Sequence, residues 1–303
     1  MQTVQSERFI QQPNTRINYY VCGSGGLGKG LMSKAIARSL FPHLLDDDDI
    51  FFPVGSNNAT FEGYDGQPVI IWNDCRAIDL LQKLGGRGNV FDVFDTHPSS
   101  TGRQNVKYSS VKLCNTVNIV NSVEDYSSFL NGLAGEYTAR DGAKIIAEDK
   151  GQSYRRFPMI IPLHQEDFDL LLNKGFLEDT NDFSEYISYK NIRGNLQKIA
   201  VMCSGNEKLA REIESRTIKT ITDKHQEVLE KINNQNLDDD EIRKMFERNG
   251  KTWLNLEKEE KPVYVENEKK EIDLLEYAQQ QKDNDDLIKE MGFDDSIIEQ
   301  NFF

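Results

Sequence analysis

Apolar and polar positions change their period along this chain, and each change marks an element. Asn18-Tyr19-Tyr20-Val21-Cys22 is a β-prone run that feeds a glycine-rich turn, and the run Leu31 to Leu40 predicts a helix over 30–40. A strand over 50–54 ends in the turn-rich Gly55-Ser56-Asn57-Asn58, and a strand over 68–73 leads into a helix over 75–84. Val90-Phe91-Asp92-Val93-Phe94 alternates as a strand does. Thr96 to Arg103, rich in Pro, Ser, Thr and Gly, reads as a loop, and Val106 to Val111 alternates again, so the segment reads as a hairpin. A strand over 116–121 follows, with Ser122 placed to cap a helix whose face is Tyr126, Phe129, Leu130 and Leu133. A strand over 158–163 and a helix over 165–174 come next. Strands alternating with helices imply a parallel sheet with both faces covered.

Beyond about residue 180 the pattern turns helical. Leu209, Ile213, Ile218, Ile221, Val228 and Ile232 recur at helical spacing across Asn206 to Asn233, which predicts one amphipathic helix of about seven turns packed on the rest. Asp238-Asp239-Asp240 opens another short helix by capping and dipole logic. From Lys251 onward the chain is charged and poor in core residues. The last residues set acids beside Phe302-Phe303, a frayed tail or, alternatively, a docking peptide for another replication protein.

The turn after the first run carries the chemistry. Gly23-Ser24-Gly25-Gly26-Leu27-Gly28-Lys29-Gly30 has the layout of a phosphate-binding P-loop, whose backbone N–H groups and helix N-terminus face the anion while a lysine neutralises the outer phosphates. Gly23, Gly25 and Gly28 also spell a dinucleotide fingerprint, with Asp46 to Asp49 near the place of a ribose-binding acid, about 20 residues on. The strand tip Asn73-Asp74 favours the first reading, because a carboxylate there holds the magnesium shell and positions the attacking water. A third strand ends at Asn121, between the first two sites, within reach of the γ-phosphate or the water. Arg155-Arg156, just before a strand, then fit an arginine finger acting on a neighbouring subunit, with nothing in their adjacency to choose between them.

Taken in this order, the P-loop, Phe61-Glu62-Gly63-Tyr64-Asp65-Gly66-Gln67 leading into Val69–Asp74, the Asn121 tip and Arg155-Arg156-Phe157 resemble the helicase domain of rolling-circle replication initiators. These are the Rep proteins of plasmids, phages and small circular single-stranded DNA viruses, and the domain is a superfamily 3 branch of the AAA+ ATPases. The resemblance covers about residues 17–178. It implies an α/β fold, a P-loop AAA+ type parallel sheet flanked by helices, followed here by an α-helical C-terminal region. It also implies a homo-oligomeric ring, a hexamer, that hydrolyses ATP with Mg2+ at subunit interfaces and moves along single-stranded DNA. In that reading Lys29 and the loop from Gly23 to Gly30 hold the phosphates, Asp74 acts on magnesium and water with Asn73 beside it, and Asn121 senses the γ-phosphate. Phe91 to Lys112 lies where this group carries a DNA-gripping hairpin, which makes His97, Arg103, Lys107 and Lys112 candidate contacts to phosphates.

Two departures qualify the resemblance. Gly30 stands where a Ser or Thr hydroxyl ligates magnesium, and Asn73 where the group often has a second acid. They keep a second reading in play, a nucleotide-dependent DNA-binding or assembly ring with little or no hydrolysis. Only about sixteen residues precede the first strand and no His-hydrophobic-His pair is present, so the chain is expected not to nick DNA by itself, as a fragment of a larger initiator or as a stand-alone helicase.

Composition changes the picture in one respect. The net charge of −14 is wrong for a generic DNA-binding surface, but residues 1–178 hold 17 Lys and Arg against 21 Asp and Glu, and the remaining residues 19 against 29. Most of the acid lies outside the motor, and a ring needs positive charge only along its pore. The domains read as an N-terminal segment 1–16, the motor 17–178, a helical region 179–250 and an acidic tail 251–303. The four scattered cysteines have no metal-ligand spacing, and no run has the layout of a signal peptide or a membrane span, so a cytoplasmic protein with free thiols and no membrane partner is expected.

Overall fold

A computed structural model describes residues 13–235, apart from 55–59, 99–102, 107–108, 139–143, 147–148, 179 and 181. The chain divides into two compact units, Met1–Asn234 and Gln235–Phe303, and the first is the one described here. It begins with β1 (Ile17–Cys22), α1 (Lys29–Leu40), α2 (Asp47–Ile50), β2 (Phe51–Pro53) and β3 (Val69–Trp72). Next come α3 (Ala77–Leu84), α4 (Arg87–Val93), β4 (Arg103–Val106), β5 (Ser109–Lys112), β6 (Val117–Ser122) and α5 (Tyr126–Ala134). After β7 (Glu136–Thr138), β8 (Lys144–Ile146) and α6 (Lys150–Tyr154) follow β9 (Met159–Pro162), β10 (Asp167–Asn173), α7 (Lys174–Leu177) and β11 (Tyr186–Arg193). The described part closes with α8 (Leu196–Met202), α9 (Glu207–Thr217) and α10 (Lys219–Gln235).

Seven strands form one sheet in the order β11-β10-β9-β1-β6-β3-β2. The five from β9 to β2 are parallel, and β10 and β11 add an antiparallel edge. Every residue of β1 and β6 is buried, as expected of strands covered on both faces. This is the P-loop α/β fold that the sequence predicts. On one face Tyr20, Trp72, Val120 and Ile160 pack with Leu80, Phe94, Phe129 and Phe157, and Tyr20 stacks on Phe129 at 4.0 Å between ring centroids. The chain leaves β1 toward β2 on one side and leaves β6 toward β9 on the other. The switch point of the sheet therefore lies between the C-terminal ends of β1 and β6, where open α/β sheets bind their ligands.

Several elements differ from the pattern reading. The stretch from Val90 to Val93 is helical, not a strand, and Phe94 caps it: Val90, Val93 and Phe94 are buried at helical spacing, and Gly85 and Gly86, with φ of 74° and 134°, break the chain between α3 and α4. The hairpin pairing is instead β4 with β5, in register from Arg103 opposite Lys112 to Val106 opposite Ser109, and Arg103 belongs to a strand rather than to the loop expected over 96–103. Where a helix was expected over 165–174 stands the strand β10 (Asp167–Asn173), whose alternate burial of Phe168, Leu170 and Leu172 is hidden in the sequence by the run of three leucines. Asp125, not Ser122, caps α5, accepting from the N–H groups of Ser127 and Ser128 at 3.0 and 3.2 Å. The single long helix is two, broken at Ile218, although Leu209, Ile218, Ile221, Val228 and Ile232 are buried as their spacing demands.

α10 is tied to the sheet by Tyr19, whose hydroxyl lies 2.7 Å from Nδ1 of His225, both side chains buried. Burial pushes the His225 pKa down to about 4. In the unfolded chain the ring takes up its proton near pH 6.5, in the fold only near 4, so between these values the unfolded state holds more protons. Stability is therefore lost as pH falls through that window, by roughly 3 kcal/mol if the whole shift is realised. His225→Gln, which cannot take up the proton, is expected to flatten the fall in melting temperature between pH 6.5 and 4 relative to wild type.

Candidate functional site

The loop from Gly23 to Gly28 leaves β1 at the switch point. Gly23, Gly26 and Gly28 have φ of 150°, 80° and 85°, a region in which side chains are strained. Gly23 is required twice over, because a Cβ there would stand 2.8 Å from the Leu163 carbonyl oxygen, while one on Gly25 would meet nothing within 4 Å. The loop is thus pressed against the end of β9, where the Leu163 N–H donates to the Cys22 carbonyl at 2.7 Å. Lys29 is the first residue of α1. Its Nζ lies inside the loop, donating to the carbonyls of Gly23 and Ser24 at 3.0 Å each. Gly30 adds no side chain, and the first hydroxyl in α1 is Ser33, fully buried and donating to the Lys29 carbonyl at 3.0 Å.

β6 separates the P-loop strand from β3, whose tip carries Asn73 and Asp74, both exposed. Asp74 has φ of 49°, the only positive φ outside glycine among the described residues, at a cost on the order of 1 kcal/mol that its surroundings must offset. Buried Asn121 supplies the restraint. Its Oδ1 accepts from the Asp74 N–H at 3.0 Å, its Nδ2 donates to Asn73 Oδ1 at 2.9 Å and to Ser33 Oγ at 3.1 Å, and its carbonyl accepts from the Cys75 N–H at 3.0 Å. The structure thus brings Lys29, Asn73, Asp74 and Asn121 to one end of the sheet. It also engages the Asn121 amide internally, as a clamp on the tip that holds Asp74. The Cys22 thiol, pushed up to about 12 by burial, is no nucleophile at neutral pH, and all four cysteines are free and buried.

The donor set for magnesium is small. Among the described residues no three His, Cys, Asp or Glu side chains are grouped to hold a metal. One exposed carboxylate beside a P-loop suits Mg2+, which keeps several waters and takes one or two carboxylates together with substrate phosphates. Asp74 fits that part, whereas Gly30 offers no ligand.

The two arginines separate. Arg156 is buried, with Nε donating to Phe91 O at 3.0 Å, Nη1 to Gln152 O and Oε1 at 2.6 and 3.1 Å, and its guanidinium 4.4 Å from the Phe91 ring centre. Its guanidinium is thus engaged within the chain, while Arg155 is exposed. Of the candidate DNA contacts, Arg103 and Lys112 face each other across the β4–β5 register. Lys107 lies outside the described residues. His97 is not on the hairpin. Its Nε2 lies 3.0 Å from the Ile232 carbonyl of α10 and its Nδ1 3.3 Å from Thr96 Oγ1, so its ring is a tether to α10. Sequence reasoning missed Ser33, and also His164 at the end of β9, which lines a narrow groove beside Gly28 and bonds Asp169 at 2.9 Å.

The family model described as RNA helicase matches residues 19–85. That span runs from β1 through the P-loop, α1, β2 and β3 to the end of α3. It holds Lys29 and Asp74 and stops before the hairpin, Asn121 and Arg155. A comparison with curated proteins returns no match. No described helix is long and apolar enough to cross a membrane. The matched span is thus similar to a helicase-type nucleotide-binding domain, which argues against the dinucleotide fingerprint.

Gly23 and Gly25 give a direct test of the loop geometry. Gly23→Ala is expected to lose about 1–3 kcal/mol in denaturant unfolding, because the loop must leave β9, while Gly25→Ala unfolds as wild type does.

Proposed function

We propose that this chain is an ATP-driven motor that translocates on single-stranded DNA during replication of a plasmid-like or phage-like element, as a superfamily 3 ring of identical subunits, six by the resemblance. One observation carries the reading: the P-loop of β1 and the acidic tip of β3, both inside the segment that matches a helicase family, are related through Asn121 of β6, which lies beyond that segment. Lys29 and the loop amides hold the triphosphate, and the clamped Asp74 orients the attacking water. Magnesium, when bound, supplies charge neutralisation on the phosphates. Arg155 of one subunit reaches the site of the next, and the β4–β5 hairpin, with cationic Arg103 opposite Lys112 in the register, tracks the strand by its phosphates.

The description of the matching family raises RNA as the track. The departures at Gly30 and Asn73 favour a ring that binds nucleotide and holds DNA without useful hydrolysis. One experiment separates the three. The purified chain, given ATP and magnesium, is expected to turn over faster with single-stranded DNA than with RNA and to unwind a forked DNA duplex. Arg155→Ala is expected to lower turnover by about a thousandfold with folding and nucleotide binding intact, whereas Arg156→Ala lowers the melting temperature. Stimulation by RNA alone moves the track to RNA, and turnover indifferent to both strands supports the assembly ring.

A further inference from the structure

We propose that Ser33 is a positioning residue for Asp74, acting through Asn121. The inference rests on the reading that Asp74 serves nucleotide hydrolysis. The Ser33 hydroxyl has one proton, and that proton is committed to the Lys29 carbonyl at 3.0 Å. What it turns toward Asn121 is therefore a lone pair, which accepts from Nδ2 at 3.1 Å. The Asp74 N–H needs an acceptor and so fixes which way the Asn121 amide faces, and the Ser33 lone pair holds Nδ2 on the opposite side. A flipped amide would set its oxygen against the Ser33 lone pair and the Asn73 oxygen, and its NH2 against the Asp74 N–H. With the amide held, Oδ1 is the acceptor that keeps Asp74 in its left-handed backbone conformation, and that backbone aims the exposed Asp74 carboxylate.

The relay joins the two halves of the site inside the protein. At one end is the first turn of the helix that begins with Lys29, and at the other the tip of β3. A P-loop without a hydroxyl at position 30 thus still has a hydroxyl on α1 that reports to the acidic strand, one turn deeper and by way of β6. The competing role for Ser33 is local, a brace for α1 that acts on Lys29 and so on nucleotide affinity alone.

Fluorescent ATP binding with magnesium and with chelator, together with turnover, distinguishes these roles. For Ser33→Ala the expectation is affinity in chelator within about twofold of wild type, a gain from magnesium reduced several-fold, and turnover lower by about tenfold or more. Ser33→Thr keeps the hydroxyl and restores both, Ser33→Cys, a weaker acceptor, falls between, and in an Asn121→Ala background Ser33→Ala costs nothing further. Loss of affinity in chelator, unchanged turnover, or losses that multiply with those of Asn121→Ala would overturn the relay and leave the motor reading standing. A wild type with neither turnover nor a magnesium-dependent gain in affinity would overturn both.

Discussion

One strand placement governs the site. Because β6 lies between β1 and β3, the P-loop and the acidic tip never touch through their own strands, and Asn121 at the end of β6 is what relates them. Its carboxamide satisfies one backbone donor, one side-chain acceptor and one hydroxyl in a buried place, where each unmade bond would cost about 1–3 kcal/mol. The strain at Asp74 is sustained by that neighbourhood, as strained residues at functional sites generally are.

The opposite end of the sheet is built on similar terms. Arg16 is buried and donates to the carbonyls of Asn115, Val93 and Leu113 at 3.0, 2.7 and 3.5 Å, its pKa pushed down to about 10 by burial although the charge of Asp95 opposes the shift. Beside it Asn18 donates to Phe94 O and Arg156 O, and Asn118 receives the indole N–H of Trp72 at 3.2 Å. This network gathers the end of α4, the exit of the hairpin and the segment before β9 onto the central strands. It explains why Arg156 is consumed in holding that segment while the next residue back, Arg155, points outward at its edge.

The P-loop turn and the strand tips at Asp74 and Asn121 were legible because each is a local pattern, and their polar ends placed Asn121 between the other two, while the order of the remaining strands was not readable. α4 was not, since Val90, Val93 and Phe94 satisfy a helix while the same stretch alternates as a strand. β10 was hidden by consecutive leucines that bury only alternately, and the break at Ile218 by an apolar residue that continues the helical spacing across it. The choice between Arg155 and Arg156, the tether made by His97 and the part played by Ser33 all depend on partners far away in sequence. Phe91, Ile232 and Asn121 lie 65, 135 and 88 residues from the groups they bond. No pattern around a residue carries that information.

The central claim is that Lys29 and Asp74, related through Asn121, form one working hydrolytic site. ATP turnover with magnesium by wild type, Lys29→Ala and Asp74→Ala tests it most directly. The account predicts turnover in the wild type that both substitutions abolish while both proteins stay folded. A wild type that binds ATP yet turns it over no faster than either variant would contradict it.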